Sequence, residues 1–246
     1  MDNLYIIIPA YNEQANIRKV LDEWYPIAES HNQEGKSRIV VVNDGSRDNT
    51  GKILEEYAAG HPLLIHLNEK NRGHGGAVLR GYSYAVQQGA DYVFQTDSDG
   101  QTRPEEFEEF WKRRKKYAMI IGDRRGRQDG ASRVMVTRVL RMVLRMCFHV
   151  YVQDANTPFR LMEAGQLAEN LKQIPADAGL SNVLLSVLYT KKGDPVRYLP
   201  ITFRPRQGGK NSINLKRIIG IGWKALGDFR RLNRIWDSEL RQGQGV

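Results

Sequence analysis

The sequence predicts a mixed α/β fold, a mostly parallel twisted sheet with helices on both faces. Three observations carry that expectation. Short β-branched apolar runs recur at Leu4 to Ile8, Arg38 to Val42, Leu63 to Leu67 and Tyr92 to Gln95, each too short for a helix and bounded by turn residues. Helical spacing fills the gaps, at Ala15 to Glu29, Thr50 to Ala59 and Ala77 to Gln88, and Glu105 to Tyr117 follows the fourth run. Strict alternation of this kind makes parallel strands joined by right-handed crossovers.

The first half reads in order as β-α-β-α-β-α-β-α, and past Met119 the pattern loosens. Residues 133 to 150 and 179 to 191 read as helices, 156 to 163 as irregular, Val196 to Phe203 as a strand and Asn214 to Trp236 as a last helix. With no repeat, low-complexity tract or linker, one domain over 1–246 is expected. The composition, 41% apolar and 26% charged, is that of a globular chain, and no run approaches the roughly 18 apolar residues of a spanning helix. Leu4 to Ile8 follows Met1-Asp2-Asn3 without a basic segment, so no export signal is read. The single Cys147 forms no internal disulfide, and a cytoplasmic protein is expected.

The net charge of +9 is local. Residues 124 to 147 hold seven arginines against Asp129, and residues 210 to 236 hold seven Lys/Arg against Asp228. The second half therefore builds a basic surface, which points to anionic partners.

Open parallel sheets bind ligands beyond the carboxyl ends of their strands. Four unusual loops fall there: Pro9-Ala10-Tyr11-Asn12-Glu13, Asn43-Asp44-Gly45-Ser46, Asn71-Arg72-Gly73-His74-Gly75-Gly76 and Asp97-Ser98-Asp99-Gly100-Gln101. Each alone is ordinary turn chemistry; four in register predict one crevice. Asp97 and Asp99, spaced i, i+2, can turn oxygens to one point, where a hard cation such as Mg2+ or Mn2+ takes carboxylates plus phosphate oxygens, with Gln101 in reach. The competing reading is a solvated turn capping the helix at Pro104. A calcium loop is excluded because Thr102 stands where its invariant glycine belongs and a strand precedes it. A dinucleotide fingerprint is excluded because Val78 stands near its third glycine and the segment follows the third strand.

The succession "IIIPAYNE", "VVNDGS", "NRGHGGAVLRG" and "QTDSDGQ" resembles family 2 glycosyltransferases over roughly residues 4 to 110. "DANTPFRLM" and "YLPITFRPRQGGKNS" resemble more loosely the branch that moves a sugar onto a polyprenyl phosphate. The resemblance implies a GT-A fold and a nucleoside diphosphate sugar donor, GDP- or UDP-linked. By position it implies that Pro9, Tyr11, Glu13, Asp44, Gly76, Asp97 and Ser98 contact the nucleotide sugar, and that Asp97, Asp99 and Gln101 hold the metal. Asp99, Arg160 and Arg204 would act at the reacting groups, and Arg206 and Lys210 would meet the acceptor phosphate. It divides the chain into a donor half (1–123), an acceptor half (124–212) and a basic helical segment (213–246). Asn43 stands where relatives often carry an acid, and "TPFR" where they carry "SGFR".

A phosphate monoester is already ionised near neutral pH, its second pKa being about 6, so such an acceptor attacks without a base. "LSNVLLSVLYT" accordingly contains no acid. The rival reading is a soluble or glycan hydroxyl acceptor with Asp177 as base, and a nucleic-acid-binding protein is disfavoured because no such motif is present. Arg138, Arg141 and Arg145 share one face of a helix otherwise rich in apolar residues, and Trp223, Phe229 and Trp236 lie among the cations of the last segment. Both stretches are expected to lie on an anionic membrane or, alternatively, to pack on the core with a solvated basic edge. Inversion at the anomeric carbon is implied by the family alone. His149 is read as a packing residue.

Overall fold

The structure, a computed structural model, describes residues 2–33, 35–124, 131–204 and 215–243; the side chains of 131–136, 215–225 and 242–243 lie outside the description. Seven strands form one sheet: β1 (Leu4–Ala10), β2 (Arg38–Asp44), β3 (Leu64–Glu69), β4 (Tyr92–Gln95), β5 (Met119–Arg124), β6 (Arg160–Glu163) and β7 (Val196–Ile201). Their spatial order is β3-β2-β1-β4-β6-β5-β7. All run parallel except β6, which is antiparallel to both β4 and β5.

β1 lies centrally and is buried at all seven positions, as a strand covered on both faces must be. Its alternate side chains feed two cores. Leu4, Ile6 and Ile8 face α1 (Ile17–Ser30), α2 (Thr50–Ala58) and α4 (Phe107–Trp111), around an aromatic knot of Trp24, Phe94, Phe107, Phe110 and Phe159. Tyr5 and Ile7 face the other layer: α3 (Gly73–Gln87), α5 (Ala131–Phe148), α6 (Ala164–Leu171), α7 (Ser181–Lys192) and α8 (Leu215–Gly243).

Pro9 belongs to β1, where it pairs with Val42, and not to the loop after it. A proline is tolerated there because the β1–β4 ladder has already ended at Ile7 and Gln95, so no neighbour needs the missing N–H. Three other expectations are corrected. Residues 156 to 163 are not irregular throughout: β6 runs there and leads directly into α6, which is capped by the Glu163 carboxylate accepting from the N–H groups of Gly165 and Gln166. The helix expected over Glu105 to Tyr117 is only α4 between two 3-10 turns, since Lys112 to Lys116 offers no apolar side chain to anchor more. And the glycine loop after β3 is the first turn of α3.

Candidate active site

The carboxyl ends of β1, β2, β4, β5 and β7 and the start of antiparallel β6 share one edge of the sheet, and those of the expected residues that are described lie along it. The loops after β1 and β2 are stitched together. Asn12, with φ +54°, receives its partners across the gap: its N–H donates to Ser46 Oγ (3.0 Å) and its Oδ1 accepts from the Arg47 N–H (2.8 Å). Glu13 N–H donates to Thr50 Oγ1 and Gln14 N–H to Asp48, while Asn49 N–H donates to Gln14 Oε1. Glu13 is buried with its carboxylate accepting from Asn16 Nδ2 (2.7 Å), while Tyr11 stands exposed.

Asp44 is buried, and its Oδ1 accepts from the Arg72 N–H at 2.6 Å, fixing the entry to α3. Gly45 follows at φ +68°, where a Cβ would lie 2.8 Å from the Asn71 nitrogen, so only glycine lets the β2 loop approach this closely. Gly76 is buried in the first turn of α3, and His74 is exposed two residues earlier. Gly75 marks a second close approach: a Cβ there would sit 2.2 Å from the Ala178 carbonyl oxygen, so the lead-in to α7 touches the start of α3.

Past β4, Asp97 and Asp99 are half-buried and Ser98 is buried between them. Asp99 Oδ1 accepts from the Gln101 N–H at 3.1 Å, closing a tight turn. Gln101 and Arg204 exchange two bonds, Gln101 Nε2 to the Arg204 carbonyl (3.1 Å) and Arg204 N–H to the Gln101 carbonyl (2.8 Å), which ties the acidic loop to the end of β7. The Gln101 side-chain oxygen takes no part in this clasp. Among the described residues no three His, Cys, Asp or Glu side chains form a metal cage. Two carboxylates on one turn nonetheless suit a Mg2+ or Mn2+ ion whose remaining ligands are waters and substrate phosphate oxygens.

The two expected catalytic arginines differ from their expected role. Arg204 forks onto the Glu23 carboxylate (3.2 and 2.6 Å) and also donates to the Thr102 carbonyl (2.6 Å). Arg160 is 0% exposed and spends its guanidinium inside the protein, on the carbonyls of Thr157, Ala155 and Asn182 and on Ser186 Oγ. With all five N–H groups directed at protein acceptors, it organises the floor of the site and does not present a fork to an anion. Arg206 and Lys210 lie outside the described residues.

Sequence reasoning missed the buried polar floor. The Tyr82 hydroxyl bonds to Gln95 Oε1 and to Asn182 Oδ1 (3.3 Å), joining α3, β4 and α7 beneath the acidic loop. Burial pushes the Tyr82 hydroxyl pKa well up, so it stays a neutral donor. It also missed Asp154, whose carboxylate takes both Arg124 Nε and Nη2 at 2.8 Å, with the guanidinium over the Phe203 ring. Gln95 and Asn182 carry no motif; the acid in "DANTPFR" was the available signal for Asp154.

Of the two readings of the basic segments, α8 takes the core-packed one. Phe229 and Trp236 of α8 are core residues against Phe148, Trp236 stacked on its ring and Phe229 tilted to it, because α8 needs an apolar seam on α5. His149, at φ +59° just past α5, is exposed and not a packing residue. Trp223 lies among the side chains that are not described.

Comparison with known proteins agrees with this architecture. The model of glycosyl transferase family 2 matches residues 5–161. A dolichyl-phosphate beta-glucosyltransferase of Trichomonas vaginalis is 33% identical over 225 residues, covering 86% of this chain and 68% of that one. A second from the same organism is 38% identical over 159 residues but is covered over only 46% of its length, so this chain spans about half of it. The polyprenol monophosphomannose synthase of Mycolicibacterium smegmatis is 25% identical over 218 residues, covering 85% and 80%. Among solved structures, glucosyl-3-phosphoglycerate synthase from Mycobacterium tuberculosis, crystallised with Mn2+ and UDP-glucose, aligns with TM-score 0.62 at 20% identity over 94% of this chain and 76% of that one. The fold is therefore the GT-A type. The chain belongs to glycosyl transferase family 2.

Proposed function

We propose that the chain transfers a hexosyl group from a nucleoside diphosphate sugar to the phosphate of a polyprenyl phosphate, at the surface of a membrane. The observation that carries the reading is an asymmetry of charge around the crevice. Two carboxylates stand on the turn after β4, while the first turn of α7 across the floor has no acidic residue. A hydroxyl acceptor needs a base; a phosphate monoester, with its second pKa near ~6, does not. The names of the relatives, on dolichyl and polyprenol phosphates, support the same acceptor class.

In this reading the stitched loops of β1 and β2 hold the nucleotide, with Tyr11 exposed above them and Asp44 and Gly76 below. Asp97 and Asp99 hold a divalent cation, Mg2+ or Mn2+, with Gln101 Oε1 and Ser98 nearby, and when bound it supplies positive charge at the diphosphate oxygens. A phosphate oxygen of the acceptor bonds to the anomeric carbon as the bond from that carbon to the diphosphate breaks, and the nucleoside diphosphate leaves with the electron pair. Arg206 and Lys210 are the cations assigned to the acceptor phosphate, since Arg124, Arg160 and Arg204 are already engaged. The test is transfer to a polyprenyl phosphate against the matching polyprenol. Product from the phosphate alone is expected, and Asp177→Asn, an exposed change ahead of α7, should leave the rate within about twofold. Transfer to the alcohol that disappears in Asp177→Asn would replace this reading with the hydroxyl one.

The membrane contact belongs to α5. Leu144, Cys147 and Phe148 face the core, whereas Val139, Met142 and Met146 on the opposite face are 45, 58 and 64% exposed, between exposed Arg138 and Arg145. Arg141 instead turns to the Gln153 carbonyl (2.6 Å) and the Tyr151 ring. Exposed methionines framed by arginines suit an anionic lipid surface, each near-surface cation adding about 1 kcal/mol. Among the described residues no helix is long and apolar enough to cross a membrane. Replacing Met142 and Met146 together by Glu should lower binding to phosphatidylglycerol vesicles at least about tenfold, from lost apolar burial and added repulsion. Transfer to a short, soluble prenyl phosphate should be unchanged. Undiminished sedimentation with vesicles would remove α5 from the membrane face.

A further inference from the structure

The sheet releases the chain two residues before Asp97. β4 is held on both sides only as far as Gln95, which lies opposite Ile7 of β1 and Arg160 of β6. Thr96 keeps one main-chain bond, its N–H donating to the Ile7 carbonyl (3.1 Å), and the turn that carries Asp97 and Asp99 follows. The aim of a carboxylate just beyond the end of a ladder depends on what holds the last ladder residues by their side chains. Two such holds exist. Thr96 and Thr102, both buried, share a bond between their hydroxyls at 2.7 Å, which closes the turn on itself. Gln95, 0% exposed, is held by the Tyr82 hydroxyl, which donates to its Oε1 and ties the root of the turn to α3.

α3 is seated so that this hydroxyl can reach. Gly81, next to Tyr82, packs directly on β1: a Cβ there would lie 2.3 Å from Ile7 Cγ2, so any side chain would lift the helix off the strand. The start of the same helix is fixed by Asp44, which accepts from the Arg72 N–H. α3 thus braces the loop assigned to the nucleotide against the root of the turn assigned to the metal. Tyr82 is buried among apolar side chains, where a phenylalanine would pack as well and a hydroxyl is a cost unless it is bonded. Burial pushes its pKa up, and Arg160 and Asp97 are the charges that act on it, so it stays a neutral donor within electrostatic reach of Asp97. Its single proton goes to Gln95; Asn182 Oδ1, at 3.3 Å, is the weaker neighbour.

We infer that Tyr82 is a positioning residue for the metal ion: by fixing Gln95 from α3, it sets the direction from which Asp97 meets the ion. This step rests on the metal part of the reading above and adds a residue that touches neither the ion nor a substrate. Groups that orient a metal's ligands contribute roughly 10- to 100-fold to its affinity.

The test removes one atom. Tyr82→Phe keeps the ring and its packing and takes away the hydroxyl. Mn2+ binding to the full chain, titrated by electron paramagnetic resonance with whichever of UDP and GDP the parent binds, should weaken about tenfold. Binding of the same nucleotide without metal should stay within about twofold of the parent's, since no bond to the nucleotide is removed. A merely structural hydroxyl would lower the melting temperature and leave the metal affinity of the folded protein unchanged. Gln95→Met, close in length and without polar atoms, should weaken Mn2+ to the same degree. Adding Tyr82→Phe to it should cost nothing more, because the hydroxyl acts through Gln95. That double variant strands no acceptor at position 95, so it carries the test if Tyr82→Phe alone does not fold. Unchanged Mn2+ affinity in Tyr82→Phe overturns the inference, as does an equal loss of metal-free nucleotide binding, or a double variant clearly weaker than Gln95→Met. A parent chain whose nucleotide binding is indifferent to Mn2+ overturns both this inference and the metal reading it rests on.

Discussion

Asp99→Asn is expected to lower kcat/KM for sugar transfer about a thousandfold, since loss of several kcal/mol of charge stabilisation at the diphosphate costs a factor of ten per ~1.4 kcal/mol. The substitution is informative because it is nearly silent in structure. Asp99 Oδ1 accepts from the Gln101 N–H, and asparagine can make the same bond with its own Oδ1. The turn after β4 is thus preserved while one negative charge is lost. Mn2+ titration by intrinsic fluorescence should show weaker binding in the presence of nucleoside diphosphate, and the melting temperature should move little. Asp99→Ala should add a loss of stability, because it also removes the turn's acceptor. If Asp99→Asn transferred sugar at the parent's rate, the acidic pair would be no more than a turn, and the mechanism proposed here would fall with it.

The same loop ties the end of β4 to the end of β7. Gln101 reaches Arg204 through two bonds, and Arg204 reaches back across the sheet edge to Glu23 of α1. Arg204, just past β7, is therefore fixed to the acidic turn.

The first four strands and their loops were legible because their signals are local. β1 to β4 are apolar runs closed by turn residues, and the spacing of Asp97 and Asp99 can be read without knowing what lies across the crevice. The second half of the chain was not, for a physical reason that recurs. β6 opens on an arginine at a wholly buried position, so a strand is disguised by a charge whose partners are Thr157 and Ala155 just before it and Asn182 and Ser186 of α7. α6 is capped by Glu163, outside the usual Ser, Thr, Asp or Asn set. Arg160 and Arg204 looked like anion ligands because a sequence shows their charge but not their neighbours. In α5 the periodicity located the arginines correctly but could not tell which apolar face the core would take. Packing by α8 through Phe229 and Trp236 decides it, and leaves Met142 and Met146 outside.

Arg160→Lys separates the two roles that a buried arginine can have. Here the guanidinium satisfies three carbonyls and a hydroxyl drawn from the segment before β6 and from α7. An ammonium has three donors on a single nitrogen and cannot span them, so at least two buried acceptors lose their partner at about 1–3 kcal/mol each. The loss should be about 3 kcal/mol or more, which in a chain of this size corresponds to a melting temperature lower by about 10 °C. Measured well below that melting point, the folded fraction should keep the donor KM of the parent, because Arg160 does not reach the substrate. A residue that gripped the diphosphate would behave oppositely: lysine would preserve stability and raise the donor KM or depress kcat at every temperature. Thermal unfolding and donor saturation curves on one preparation distinguish these outcomes. An unchanged melting temperature with a raised donor KM would return Arg160 to the substrate and require the floor of the site to open when the donor binds.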